Sequence, residues 1–93
     1  PGNDGRSVRL SFPELTEERR RDLVRMVNGM AEDGKNRMRG LRRNARKDLD
    51  DLEGSVSEDD LKWAGSRLDE MIHGFEAEID NARQAKEDEL LEV

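Results

Sequence analysis

The feature that most restricts this chain is a run of small and apolar residues returning with the period of an α-helix. Leu23, Val27, Met30, Gly34, Met38, Leu41, Ala45, Leu49 and Leu52 follow in steps of 4, 3, 4, 4, 3, 4, 4 and 3. Eight steps across 29 residues give 3.6 residues per step, the repeat of one helical face. Thr16 stands ahead of the run as an N-cap, with Glu17 and Glu18 in the first turn, where the helix dipole favours acids. The spacing predicts one helix over Glu17–Leu52, about 54 Å long at 1.5 Å per residue. Glu53-Gly54-Ser55 interrupts it. A second seam then runs through Leu61, Ala64, Leu68, Ile72, Phe75, Ile79, Ala82, Lys86 and Leu90 at the same period. Ser57 is its predicted cap, with Asp60 at the third helical position and Val56 and Leu61 placed to staple the entry. Two long helices joined by so short a connection fold back on each other, so the expected class is all-α, a long antiparallel helical hairpin.

Composition closes off the alternatives. The 93 residues are 32% hydrophobic, 3% aromatic and 43% charged, where a globular domain is about half apolar and a quarter charged. That is too little apolar material for a sandwich, a barrel or a layered α/β fold, while the strict periodicity argues against disorder. Trp63, Met71 and Met26 widen the apolar surface beyond one two-helix seam. This predicts that the hairpin supplies two helices of a three-helix bundle and leaves a groove for the third. Ahead of the helices, Val8, Leu10 and Phe12 alternate with polar residues and read as a short strand or extended arm that Pro13 stops. The opening Pro1-Gly2-Asn3-Asp4-Gly5 is turn-like and reads as part of a longer product. With no cysteine there is no disulfide frame, thiolate nucleophile or zinc knuckle, which suits a cytoplasmic chain. No run approaches the roughly 18 apolar residues of a membrane span, so no membrane association is expected.

Charge is distributed unevenly. Residues 1–52 hold 13 Lys/Arg and 10 Asp/Glu, whereas residues 53–93 hold 4 and 13. The densest basic segment, Lys35–Lys47, has seven cations in 13 residues and no acid. On a helical wheel Lys35, Arg39, Arg42 and Arg46 form one stripe beside the seam, and Arg43 and Lys47 lie further out. A cationic stripe on a rigid rod can track a phosphate backbone, and arginine can grip phosphate with two bonds. The competing reading is a solvated face that pairs with the acids of the second helix; the unmixed sign of the run favours the nucleic-acid reading. Arg42, midway along the stripe, is the residue expected to matter most. Arg19-Arg20-Arg21 lies among Glu17, Glu18 and Asp22 and is expected to be structural, through pairs such as Glu17 with Arg21.

Nothing points to catalysis. His73, the single histidine, has Asp69, Glu70 and Glu76 nearby in sequence, but one Glu-x-x-His segment does not make a di-metal site, which needs two. No base and oxyanion donors assemble around a nucleophile on such a rod, and no metal or cofactor is expected.

Four segments together carry a resemblance: VRLSFPELTEERRRDLV, RMRGLRRNARKDLDDL, SVSEDDL and the ending KEDELLEV. They resemble the ribosome recycling factor family, and the likeness covers nearly the whole chain. It implies a three-helix bundle with a smaller β-rich domain inserted after the first helix. On that pattern residues 1–15 correspond to the last strand of the small domain and a hinge at Ser11, Phe12 and Pro13. Residues 16–93 correspond to the second and third bundle helices. The resemblance further implies a non-enzymatic, cytoplasmic translation factor that enters a ribosome after termination. Such a factor lies on large-subunit RNA and, with elongation factor G and GTP hydrolysis, splits the subunits. The family's RNA-contacting arginines map onto Arg39, Arg42 and Arg43. Lys35, Arg46 and Lys47 complete the expected RNA-binding set. The sequence departs from the family at Gly40, Asn44 and Ser11, where asparagine, an acid and a proline are usual. The first two departures keep the charge pattern, and the third alters the hinge. The alternative is a structural helical hairpin or a dimerising coiled coil without RNA binding; self-association of the chain would fit either reading.

Overall fold

The computed structural model describes residues 16–92, and the predicted arm and the hinge residues Ser11, Phe12 and Pro13 lie outside them. Helix α1 spans Glu17–Asp51 and helix α2 spans Glu58–Leu91. Both begin where their caps predict. The Thr16 hydroxyl accepts from the Arg19 backbone N–H at 3.0 Å, and the Ser57 hydroxyl accepts from that of Asp60 at 3.1 Å. Each bond satisfies one of the donors that a helix start leaves unpaired.

The connection is tight. The Leu52 and Glu53 N–H groups donate back to the Leu49 and Asp50 carbonyls at 3.0 and 3.1 Å, and the Ser55 N–H donates to the Leu52 carbonyl at 2.9 Å. Gly54 holds a φ of 87°, the left-handed value that the third residue of a type II turn requires and that a side chain would resist. The helices therefore return antiparallel, and at 1.5 Å per residue the 35 residues of α1 give the hairpin a length of about 53 Å.

The core is thin, as the composition demands. Ala31 and Ile72 are its most buried apolar residues, at 9% and 7% exposure. Gly34 does lie in the seam: a Cβ there would meet Ile79 Cδ1 at 3.4 Å, so the helices approach closely at that level. Gly29 faces open space, and nothing in the structure explains its presence in the helix.

The two long sides of the hairpin differ. One is crossed by charged contacts between the helices. The other is an apolar groove in which Met26, Met30, Leu41, Trp63, Met71 and Phe75 are 46–70% exposed. Two shallow pockets mark this groove. The first, of about 280 Å³, is lined by Val27, Met30, Ala31 and Ile79; the second, of about 360 Å³, by Leu49, Trp63, Leu68 and Met71. The groove is where the surplus apolar residues of the sequence collect.

Candidate nucleic-acid interface

All six candidate RNA-binding residues lie on α1, within the part of the helix nearer the turn. The structure divides them into two sets. Lys35, Arg39, Arg42 and Arg46 face α2 along the charged side. Arg43 and Lys47 point outward, are exposed, and make no ion pair among the described residues.

The inner set meets acids spaced along one face of α2. Lys35 Nζ donates to Asp80 Oδ1 at 3.0 Å and lies 3.4 Å from Glu32 Oε2. Arg39 Nε stands 3.8 Å from Glu76 Oε2, and its Nη1 donates to Asn36 Oδ1 at 2.7 Å. Arg42 Nε donates to Asp69 Oδ1 at 2.7 Å, and Arg46 Nη2 donates to Asp69 Oδ2 at 3.3 Å. Four cations thus face three carboxylates across the helix pair. The pairing that the competing reading expects is present, but it covers the inner set alone and leaves each arginine of that set more than two-fifths exposed.

Ionisation follows these contacts. The Arg42 guanidinium bonded to Asp69 holds that carboxyl below its ordinary range, and the same bond raises Arg42. The hydrogen bonds from Lys35 to Asp80 and Glu32 raise its ammonium pKa. Because the three arginines remain substantially solvent-exposed, their pairs add little to stability and act mainly to fix where the cations sit.

Two features escape a reading of the sequence. Asp69, Glu76 and Asp80 are acids of a solvated-looking helix until the fold sets them opposite the stripe. Arg20, placed in a cluster expected to pair locally, instead reaches the far end of α2. Its Nη1 donates to the Leu90 carbonyl at 2.7 Å and to the Glu92 carbonyl at 3.1 Å. The last turn of α2 contains no basic residue of its own, so Arg20 supplies the positive charge that a helix C-terminus favours. The expected Glu17–Arg21 pair does not form; among the described residues the local pair at that end is Asp22 with Arg25. Among the described residues no group of three His, Asp or Glu side chains could hold a metal, and no helix is long and apolar enough to cross a membrane.

The arrangement defines a class: a helical hairpin with a cationic flank on its first helix, an acidic second helix and an apolar groove on the opposite side. The sequence model of the ribosome recycling factor matches residues 1–91. The ribosome-recycling factor of Rubrobacter xylanophilus is 46% identical over 95 residues, covering 100% of this chain and 51% of its own length. Those of Acidothermus cellulolyticus and Pelobacter propionicus are each 45% identical, again across 100% of this chain and 51% of theirs. The chain belongs to the ribosome recycling factor family, and it spans about half the length of the curated relatives it matches.

Proposed function

We propose that this chain acts in ribosome recycling as a non-enzymatic, cytoplasmic translation factor. It binds the post-termination ribosome through large-subunit RNA and works with elongation factor G to release the subunits. Family membership supports the process. The observation that carries the RNA contact is the acid-free run Lys35–Lys47, whose Arg43 and Lys47 remain exposed and unpaired among the described residues. These two present charge without first breaking an ion pair within the hairpin. Lys35, Arg39, Arg42 and Arg46 border them and add partly neutralised charge. The groove lined by Met30, Trp63 and Phe75 receives a third helix of the same protein, so that residues 16–93 form two-thirds of a bundle. Residues 1–15 carry the end strand and hinge of the smaller domain.

The structural alternative draws its support from the Lys35, Arg39, Arg42 and Arg46 pairs with α2, and the test separates the two. Arg43→Glu and Lys47→Glu break no ion pair within the hairpin and retain good helix formers. Each should weaken binding to large ribosomal subunits and flatten the log–log salt dependence by about 0.7 to 0.9 for each phosphate that is no longer neutralised. Charge reversal at Lys62, outside the basic run, is the control and should do much less. Unchanged affinity in both variants would favour a structural hairpin.

A further inference from the structure

The charged side contains an interlock that the RNA reading leaves unexplained. Arg42 and Arg46 stand one turn apart on α1, and Gly65 and Asp69 stand one turn apart on α2. Asp69 uses both carboxylate oxygens, accepting from Arg42 Nε at 2.7 Å and from Arg46 Nη2 at 3.3 Å. Arg46 also lies across the α2 backbone at Gly65. A Cβ there would stand 2.7 Å from Arg46 Nη1 and 3.6 Å from its Cζ. Gly65 is one of only two buried residues of α2. Glycine weakens a helix interior relative to alanine, so its presence here has a physical reason: it is the notch that admits a guanidinium.

The direction of the Arg42 bond matters. A guanidinium has five N–H donors in a fixed fork. The bond to Asp69 engages Nε and leaves the terminal Nη1–Nη2 edge without a partner among the described residues, on a side chain 44% exposed. That edge is the one that can take a phosphate with two parallel bonds. A free arginine loses rotamer entropy when it grips a ligand, whereas one already held in place loses less.

We propose that Gly65 and Asp69 form a cradle that sets the Arg42 and Arg46 guanidinium groups as a preformed clamp for an RNA phosphate; this rests on the RNA-binding reading above. Gly65 and Asp69 are then positioning residues, acting through the arginines without touching RNA.

Simple charge counting predicts the opposite behaviour. With Asp69 present, the two arginines carry one net positive charge in place of two. Coulomb attraction alone therefore predicts tighter RNA binding when Asp69 is removed. Positioning predicts weaker binding.

The test is binding of the 93-residue chain to purified large ribosomal subunits at one fixed salt concentration, with helix content followed by circular dichroism. Gly65→Ala changes no charge and introduces the better helix former, yet its Cβ displaces the Arg46 guanidinium. It should bind roughly fivefold or more weakly, with helix content equal or higher. Asp69→Ala should also bind more weakly, although it removes a negative charge. Wild-type affinity in Gly65→Ala, or tighter binding in Asp69→Ala, overturns the cradle. If Asp69→Ala does not fold, Gly65→Ala decides alone. Arg43→Glu separates the cradle from the RNA reading beneath it. If it binds like the wild type, or if the wild type does not bind, the RNA reading has failed and the cradle with it. If Arg43→Glu weakens binding while both cradle variants do not, the cradle alone has failed.

Discussion

Replacing Ile72 with alanine tests whether the thin seam, rather than the ladder of charges beside it, holds the helices together. Ile72 is the most buried large side chain of the hairpin, at 7% exposure. The change removes three carbons from that position. At about 0.8 kcal/mol per buried methylene, the transfer cost is roughly 2.4 kcal/mol. A closed core would add a cavity penalty, taking such changes toward 5 kcal/mol. Two helices do not close a cavity, because side chains and water can fill it from the groove. The expected loss is therefore about 2 kcal/mol, the low end of the range for isoleucine-to-alanine changes. Leu41→Ala is the comparison, since Leu41 is 57% exposed and should cost under about 1 kcal/mol. Urea melts at one fixed protein concentration, followed by circular dichroism, give the readout. With a slope of about 1 kcal/mol per molar, Ile72→Ala should lower the midpoint by about 2 M. Equal shifts for the two variants, or a loss under about 0.5 kcal/mol for Ile72→Ala, would mean that the ion pairs rather than the seam hold the helices together.

Three further outcomes are expected. Ser57→Ala removes the bond to the Asp60 N–H and should cost about 1 kcal/mol, read as a lower melting midpoint with the same folded helix content. The 93-residue chain by itself should self-associate at micromolar concentration through the face carrying Met30 and Trp63, both 70% exposed, and Trp63→Glu should restore a monomer in sedimentation. A monomeric wild type with a sharp two-state melt would contradict that. Asp69 has a lowered pKa, so its contribution is present above the ordinary carboxylate value of about 3.9 and is lost as pH falls through the lower folded value. Lys35 is raised, so its contribution is complete below about 10.4 and is lost as pH rises through the higher folded value. Asp69→Asn should flatten the acid limb of the stability profile and leave the alkaline limb unchanged.

Much of the fold was legible because helices announce themselves locally. The 3.6-residue seams, Thr16 and Ser57 as caps, and Gly54 in the turn are each decided by residues within a few positions of one another. The open groove was legible too, since Met26, Trp63 and Met71 were more apolar surface than one seam could use. What the sequence did not disclose is register across the helix pair. The period of α1 places Lys35, Arg39, Arg42 and Arg46 on one stripe, but it cannot say which α2 residue stands opposite each. That is set by how far the helices slide along each other, which the close approach of Gly34 to Ile79 and the passage of Arg46 over Gly65 fix in three dimensions. Asp69 and the Arg20 cap of α2 follow from register, and no local signal marks either. Register also reweights the site. Arg42, midway along the stripe, is tied to α2 through Asp69, whereas Arg43 and Lys47 are exposed and make no ion pair among the described residues.

On the function proposed above, the basic flank of α1 addresses this hairpin to large-subunit RNA. The most direct measurement is binding of the wild-type chain to purified large and small ribosomal subunits across a series of salt concentrations. Binding should favour the large subunit, with affinity falling linearly in log–log form as salt rises, at a slope that counts several neutralised phosphates. Equal binding to both subunits, or an affinity indifferent to salt, would contradict it.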